Sequence, residues 1–188
     1  MSTAVTTEQK IVNGFTVAQL ADTVEAIKAQ PSLAEFQFRA TNRWFSAGRN
    51  RTVIKDFYGA GQEDTSRAQS FILHADEPAV LLGEDTAPNP VEYVLTALAA
   101  CLTTSIAFQA ALRGIEIESI ESSLGGDIDL QGFLGLRDDV RNGYENITVT
   151  FRIKSDAPAE LLEQLATTSP VFDIISNPVP VTLRVEKS

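Results

Sequence analysis

Residues 87–114 read APNPVEYVLTALAACLTTSIAFQAALRG, and this stretch decides the fold. Asn89 suits a helix N-cap, Pro90 the first helical position and Glu92 the third, a capping-box-like start. Gly114 supplies the residue that stops a helix. About 24 residues lie between these signals, or about 36 Å of helix at about 1.5 Å per residue. Apolar side chains recur on almost every face, so burial nearly all round is expected. Thr103, Thr104, Ser105 and Gln109 interrupt the run, which is read as falling short of a transmembrane span. Such a helix needs cover on several sides. A small domain with about six strands meets that need by wrapping sheet around it or by lending it to a dimer.

Working outward, the first twelve residues read as a loose polar terminus. Val17, Leu20, Val24 and Ile27 then recur at helical spacing, and Pro31 ends the run. Thr16 with Gln19 offers a capping box, and Phe15 with Leu20 a hydrophobic staple, for a helix over 16–29. This gives an N-terminal helical segment at 13–35, and the main domain is placed at 36–188. Residues 36–45 and 50–58 read as strands around the turn Ser46-Ala47-Gly48-Arg49, and 70–75 as a third. Residues 115–124 predict another strand, and 125–143 a Gly-rich loop or hairpin tip. Ile147, Val149, Phe151 and Ile153 alternate with polar residues, the pattern of a half-buried strand. A helix follows over about 157–168, with Asp156 as candidate cap and Pro158 in its first turn. Ser169-Pro170 starts a short helix, and Val179, Val181, Leu183 and Val185 alternate as a last strand. No repeat or linker is visible.

Composition narrows the function classes. The chain has 188 residues, 44% hydrophobic and 21% charged, so it can hold a true core. Its 15 basic against 25 acidic residues leave a net charge of −10, and there is no basic block. This argues against nucleic acid and against anionic membrane surfaces as partners. One cysteine excludes an intrachain disulfide and a cysteine-built zinc or iron–sulfur centre, and the single histidine, His74, excludes a His-rich metal site. No metal and no cofactor are expected. The opening MSTAVTTEQK has no apolar signal core, so a cytoplasmic protein with a reduced thiol is the default expectation.

Cys101 lies in the middle of the long helix, with Ala97, Thr104 and Ser105 on its side. It reads first as a small buried hydrophobe, with a functional thiol as the alternative. An ordinary thiol, with pKa near 8.5, is only about 3% thiolate at neutral pH, so a reactive one needs help. The helix dipole fades within a turn and Cys101 is about three turns in, so the help must be a cation from elsewhere, an Arg above all.

The segments LGEDTAPNPVEYVLTALAACLTTSIA and SPVFDIISNPVPV resemble the OsmC/Ohr family of hydroperoxide-reducing proteins, and most closely its OsmC-like branch, here with a single cysteine. The shared features are an acidic-Gly loop, an N-P-x-E helix start, an A-A-C centre and a terminal S-P and N-P-V-P. The resemblance spans about 36–188. It implies an α+β fold with antiparallel sheets wrapped around long central helices in an intertwined homodimer with sites at the interface. It also implies a peroxide-attacking cysteine, an Arg and a Glu that hold its thiolate, and a second cysteine that closes a disulfide. Cys101 stands at the attacking position, and Ser169 where the second cysteine is found. Val91 occupies the position of the family's Glu. Glu92 projects about 180° away from Cys101 and about 13 Å along the helix, so it reads first as a cap. Arg39, Arg43, Arg49 and Arg51 all fall in the region of the family's Arg, and Arg43, beside Trp44, is taken as the substrate-binding residue. His74 reads as structural or exposed.

Three functions stay open. The first is a one-cysteine thiol peroxidase that detoxifies organic hydroperoxides with an external thiol as reductant. The second is a dimeric binding or stress protein that holds a small hydrophobic ligand without peroxidase activity. The third is a structural or stress protein whose catalysis has decayed. The departures at Ser169 and Val91 favour the second and third, and the retention of Cys101 favours the first.

Overall fold

The computed structural model describes residues 10–187. Of the terminus expected to be loose, residues 1–9 lie outside the described residues. Ile11–Val12 (β1) instead pairs with Phe15–Thr16 (β2) in a short hairpin. Asn13 and Gly14 carry φ of 51° and 82°, the geometry of a tight hairpin turn that Asn-Gly adopts with little strain. Because Phe15 and Thr16 are used in this strand, the helix α1 begins at Val17 and runs to Ala29. Thr16 is its N-cap residue but makes no side-chain capping bond, so the expected Thr16–Gln19 capping box does not form.

The chain divides into two compact units, with the main boundary in sequence between Val94 and Leu95. Among the described residues, one holds 10–11 and Phe15–Val94, and the other holds Val12–Gly14 and 95–187. In the first, Thr41–Ser46 (β3), Arg49–Ile54 (β4) and Phe71–Ala75 (β7) form an antiparallel sheet in the order β3-β4-β7. Phe57–Gly59 (β5) and Gln62–Asp64 (β6) form a separate hairpin. One strand expected over 50–58 is thus two, and the predicted strand 36–45 begins only at Thr41. Phe36, Phe38 and Phe57 stack together ahead of that sheet, with ring centroids 5.5–6.3 Å apart.

The long helix α2 spans Pro90–Leu112. Asn89 Oδ1 accepts from the backbone N–H of Val91 and Glu92, and the Asn89 N–H donates to Glu92 Oε2 at 2.8 Å, a complete capping box. At the far end Gly114, with φ of 69°, lets the Ile115 N–H reach Ala110 O at 2.9 Å. Leu98, Leu102, Ile106 and Ala110 recur every fourth residue and are buried. Ala111 joins them, but the remaining faces are half-buried or exposed. The burial expected all round is therefore confined to one stripe, because the elements of a single chain cover one side. By length and composition α2 is also apolar enough to cross a membrane, contrary to the reading from its Thr, Ser and Gln residues. Its buried stripe belongs to a protein core in which Val12, Leu162 and Leu165 take part.

In this second unit Ser119–Asp127 (β8) and Asn146–Lys154 (β9) form a nine-rung antiparallel ribbon. The strand expected at 115 starts at Ser119 because Ile115 and Ile117 bond to Asn13: Asn13 Nδ2 donates to Ile115 O at 3.0 Å, and the Ile117 N–H donates to Asn13 Oδ1 at 2.8 Å. Gly125 and Gly126, expected in a loop, continue β8, since they have rung partners in Thr148 and Ile147. A short helix, α3 (Leu130–Phe133), follows Asp129, whose carboxylate accepts from the Gln131 N–H. Ile147, Val149, Phe151 and Ile153 form the half-buried face of β9, as their alternation predicts. The helix α4 covers Ala159–Ala166; Pro158 rather than Asp156 holds its N-cap position, and it makes no side-chain capping bond. The helix α5 covers Pro170–Ser176, and the buried Ser169 caps it by accepting from the Phe172 N–H. The last strand does not form: residues 178–187 join no ladder, and Leu183 and Val185 are 88% and 89% exposed. An alternating segment becomes a strand only where an edge is offered to it. The class is nevertheless α+β, with antiparallel sheets and helices as expected.

Candidate functional site

Residues 76–89 connect β7 to α2, and a buried carboxylate organises them. Asp76 is fully buried. It accepts from the Thr86 hydroxyl at 2.7 Å, the Thr86 N–H at 3.1 Å and the Glu77 N–H at 2.8 Å. The Thr86 hydroxyl is the main reason that its carboxyl is lowered to a pKa of about 2, and the backbone N–H groups of Thr86, Glu77 and Glu84 add to it, against the opposing effect of burial. Gly83 closes the loop, where a Cβ would fall 1.8 Å from Glu77 O. Asn89 donates to Glu77 Oε2 at 3.2 Å, and the Tyr93 hydroxyl donates to His74 O at 2.6 Å. The start of α2 is thereby fastened to the end of β7.

Beside this loop lies a cavity of about 470 Å³ lined by Phe45, Ser46, Arg49, Asn50, His74, Ala75 and Thr86. His74, read from sequence as structural or exposed, contributes to its wall. The four candidate arginines differ in their partners. Arg39 is tied to Glu63, and its guanidinium pKa is raised by that hydrogen bond. Arg49 is tied to Glu84 at 3.1 Å. Arg51 lies over the Phe45 ring, 5.5 Å from its centroid. Arg43 is exposed on β3, directly opposite Arg51, and no carboxylate lies within ion-pair distance of either among the described residues.

Cys101 belongs to the second unit. It is half-buried on α2, at the border between the buried stripe of Leu98 and Leu102 and an exposed strip of Ala97, Ala100 and Thr104. The small residues leave its flank uncrowded by long side chains. Glu92 acts as the cap that its spacing predicts. Cys101 and Arg43 thus stand in different units, each with its own surroundings. A second cavity, of about 420 Å³, is lined by Ile106 on α2, by Val149, Thr150, Phe151 and Ile153 on β9, and by Ala159, Leu162, Glu163 and Ala166 on α4. Sequence reasoning missed both cavities and the Asp76–Thr86 bond. The partners are too far apart in the chain to leave a periodic or spacing signal. Among the described residues no group of three His, Cys, Asp or Glu side chains has metal-binding geometry.

The family model for OsmC-like protein matches residues 83–184, from the acidic-Gly loop to the C-terminal segment. No curated protein matches the chain. Among solved structures, an OsmC-like protein from Mycoplasma pneumoniae aligns with a TM-score of 0.57 at 14% identity, covering 76% of this chain and 89% of its own. An OsmC-like protein of unknown function from Vibrio cholerae O1 aligns with a TM-score of 0.50 at 14% identity, covering 76% and 93%. An organic hydroperoxide resistance protein OsmC from Legionella pneumophila aligns with a TM-score of 0.49 at 18% identity, covering 75% and 90%. The first two likenesses establish a shared fold.

Proposed function

The chain belongs to the OsmC-like protein family, and from that premise we propose that it is a one-cysteine, thiol-dependent reductase of organic hydroperoxides. The observation that carries this reading is the placement of the chain's one thiol, Cys101, half-buried at mid-helix beside a strip of small residues. Its thiolate attacks one oxygen of the peroxide bond. The O–O bond breaks, the cysteine becomes a sulfenic acid, and the departing alkoxide takes a proton to leave as an alcohol. With Ser169 where a second cysteine stands elsewhere in the family, an external thiol completes the cycle. It displaces water from the sulfenic acid to form a mixed disulfide, and a second thiol then releases Cys101. Such a cycle suits the reducing cytoplasm. Arg43, which has no carboxylate partner among the described residues, is the proposed substrate-binding residue.

We further propose that the working form is a homodimer. The partly uncovered apolar α2 and the unpaired alternating segment 178–187 support this, because a single chain leaves both without cover. The cavity between β9 and α4 favours a second reading, a binding protein for a small hydrophobic ligand, since aliphatic and aromatic side chains form most of its wall.

Stopped-flow oxidation with an alkyl hydroperoxide and with hydrogen peroxide tests the first reading, with Cys101→Ser as control. The alkyl peroxide is expected to react faster, and Cys101→Ser to abolish turnover. Rates no better than those of free cysteine for both peroxides would leave the binding reading in its place. Sedimentation is expected to give twice the monomer mass, and a stable folded monomer at micromolar concentration would remove the dimer.

A further inference from the structure

We propose that Arg43, Arg51 and His74 form an oxyanion-recognition rung on the β3–β4–β7 sheet, built for a carboxylate or phosphate group carried on an apolar body. The inference deepens the assignment of Arg43 to substrate binding and rests on that part of it. In the sheet register Arg43 faces Arg51, and Arg51 faces His74. Residues paired across neighbouring strands project from the same face, and strands lie about 4.8 Å apart. The three side chains therefore stand in a row across about 10 Å of one surface.

Two like charges directly opposite each other destabilise a sheet. A fold tolerates them readily when a carboxylate sits between, and the chain has 25 acidic residues to choose from. Arg39 and Arg49 each take one, Glu63 and Glu84. Arg43 and Arg51 take none among the described residues. The Nε of Arg51 is buried without a hydrogen-bond partner among the described residues. A buried donor left in this state is destabilising until an acceptor reaches it. The guanidinium is also held over the Phe45 ring. Stacking of this kind orients the planar fork and leaves its N–H edges available for a two-oxygen acceptor.

Room for the rest of the ligand is present at the His74 end of the row, in a cavity that neither Arg43 nor Arg51 lines. His74 and Phe45 both line the cavity of about 470 Å³, a volume within the range of small-molecule sites. On the same sheet face the next rung holds Val53 and Ile72, and Ile72 is exposed. The anionic group would meet the arginines and the histidine while its apolar stem meets Phe45 and this aliphatic step. The net charge of −10 repels anions at long range, so an anion has to be selected by local geometry of this type.

The test uses the full chain carrying Cys101→Ser, so that binding is measured without turnover. Isothermal titration compares a medium-chain carboxylate, the matched alkyl phosphate and the matched alcohol. Both anions are expected to bind at least about tenfold more tightly than the alcohol, and the stronger of the two identifies the preferred oxyanion. Arg51→Gln and Arg43→Gln are each expected to lose about tenfold for the anions and nothing for the alcohol. Arg51→Lys, which keeps the charge but not the fork, should recover part of the loss, and Arg137→Gln should change nothing. Equal affinity for anions and alcohol overturns the proposal. So does undiminished anion binding by Arg51→Gln or Arg51→Lys protein with a native circular dichroism spectrum. In the wild-type chain, kcat/KM for a carboxylate-bearing hydroperoxide is expected to exceed that for its methyl ester. Peroxidase activity without this preference overturns the rung and leaves the reductase reading intact. Anion binding lost on Arg51→Gln in a protein with no peroxidase activity supports the rung and removes the reductase reading.

Discussion

Replacing Asn13 isolates the device that ties the N-terminal hairpin to the end of α2. The Asn13 side chain makes three hydrogen bonds, donating to Ala107 O at 3.3 Å and Ile115 O at 3.0 Å and accepting from the Ile117 N–H at 2.8 Å. Its backbone sits at φ 51°, in the left-handed region. At about 1 kcal/mol net for each bond, Asn13→Ala should lose about 3 kcal/mol, its Cβ bearing the same left-handed strain as that of Asn13. Asn13→Gly loses the same bonds but relieves about 1 kcal/mol of that strain, about 2 kcal/mol in all. For a chain of this length each kcal/mol lowers the melting temperature by about 2–4 °C. Alanine should therefore lower it by about 6–12 °C and glycine by about 4–8 °C. Asn13→Asp keeps the acceptor for Ile117 but sets a carboxylate against two carbonyl oxygens, and should be at least as harmful as glycine. Thermal melts followed by far-UV circular dichroism, with urea midpoints as a second measure, give the comparison. A loss below about 1 kcal/mol for Asn13→Ala would refute the reasoning that these bonds anchor the turn. Glycine and alanine variants of equal stability would refute the backbone contribution alone.

Further outcomes can be measured directly. Ser169→Cys is expected to form an intrachain disulfide with Cys101 after one equivalent of hydroperoxide, seen by mass spectrometry, at a cost of about 1 kcal/mol for the lost cap to Phe172. A folded variant that only over-oxidises Cys101 would separate the two positions. Asp76 has a folded pKa lowered to about 2, so the stability it contributes is fully present above the ordinary carboxylate range. That contribution should fade as pH falls from about 4 towards about 2, and the corresponding limb of the stability profile should be missing in Asp76→Asn and weakened in Thr86→Val. Gly83→Ala would place a Cβ 1.8 Å from Glu77 O, so it should destabilise the loop by about 3 kcal/mol or more, read as a lowered urea midpoint.

The parts of the fold that were legible in advance are those with local causes. The capping box at Asn89 and Glu92, the stop at Gly114 and the cap at Ser169 each rest on groups within a few residues of one another, side chains at the caps and backbone alone at Gly114. The alternation at 147–153 likewise reports its own face of β9. The Asn13-Gly14 turn had an equally local signal, yet Phe15 and Thr16 also fitted a helix start, and strand pairing prevailed. The alternation at 179–185 was as clear as that in β9, and no ladder forms there, because periodicity records which face a strand would bury and not whether an edge is available.

The candidate site divides in the same way. Cys101 was identifiable because one thiol in a 188-residue chain stands out, and the residues around it carry the family resemblance. Among the arginines, residue order could not separate Arg39, Arg43, Arg49 and Arg51, since all four lie within thirteen positions of one another. Folding separated them by partner: Glu63 and Glu84 took Arg39 and Arg49, Phe45 took Arg51, and the sheet register set Arg51 between Arg43 and His74. Helix boundaries, caps and strand periods follow from interactions over a few residues, so they are written along the chain. Which cation keeps a carboxylate, which carboxylate is buried and which apolar stripe is covered depend on residues brought together from distant positions. The pairings that settle them exist only once the strands are in register.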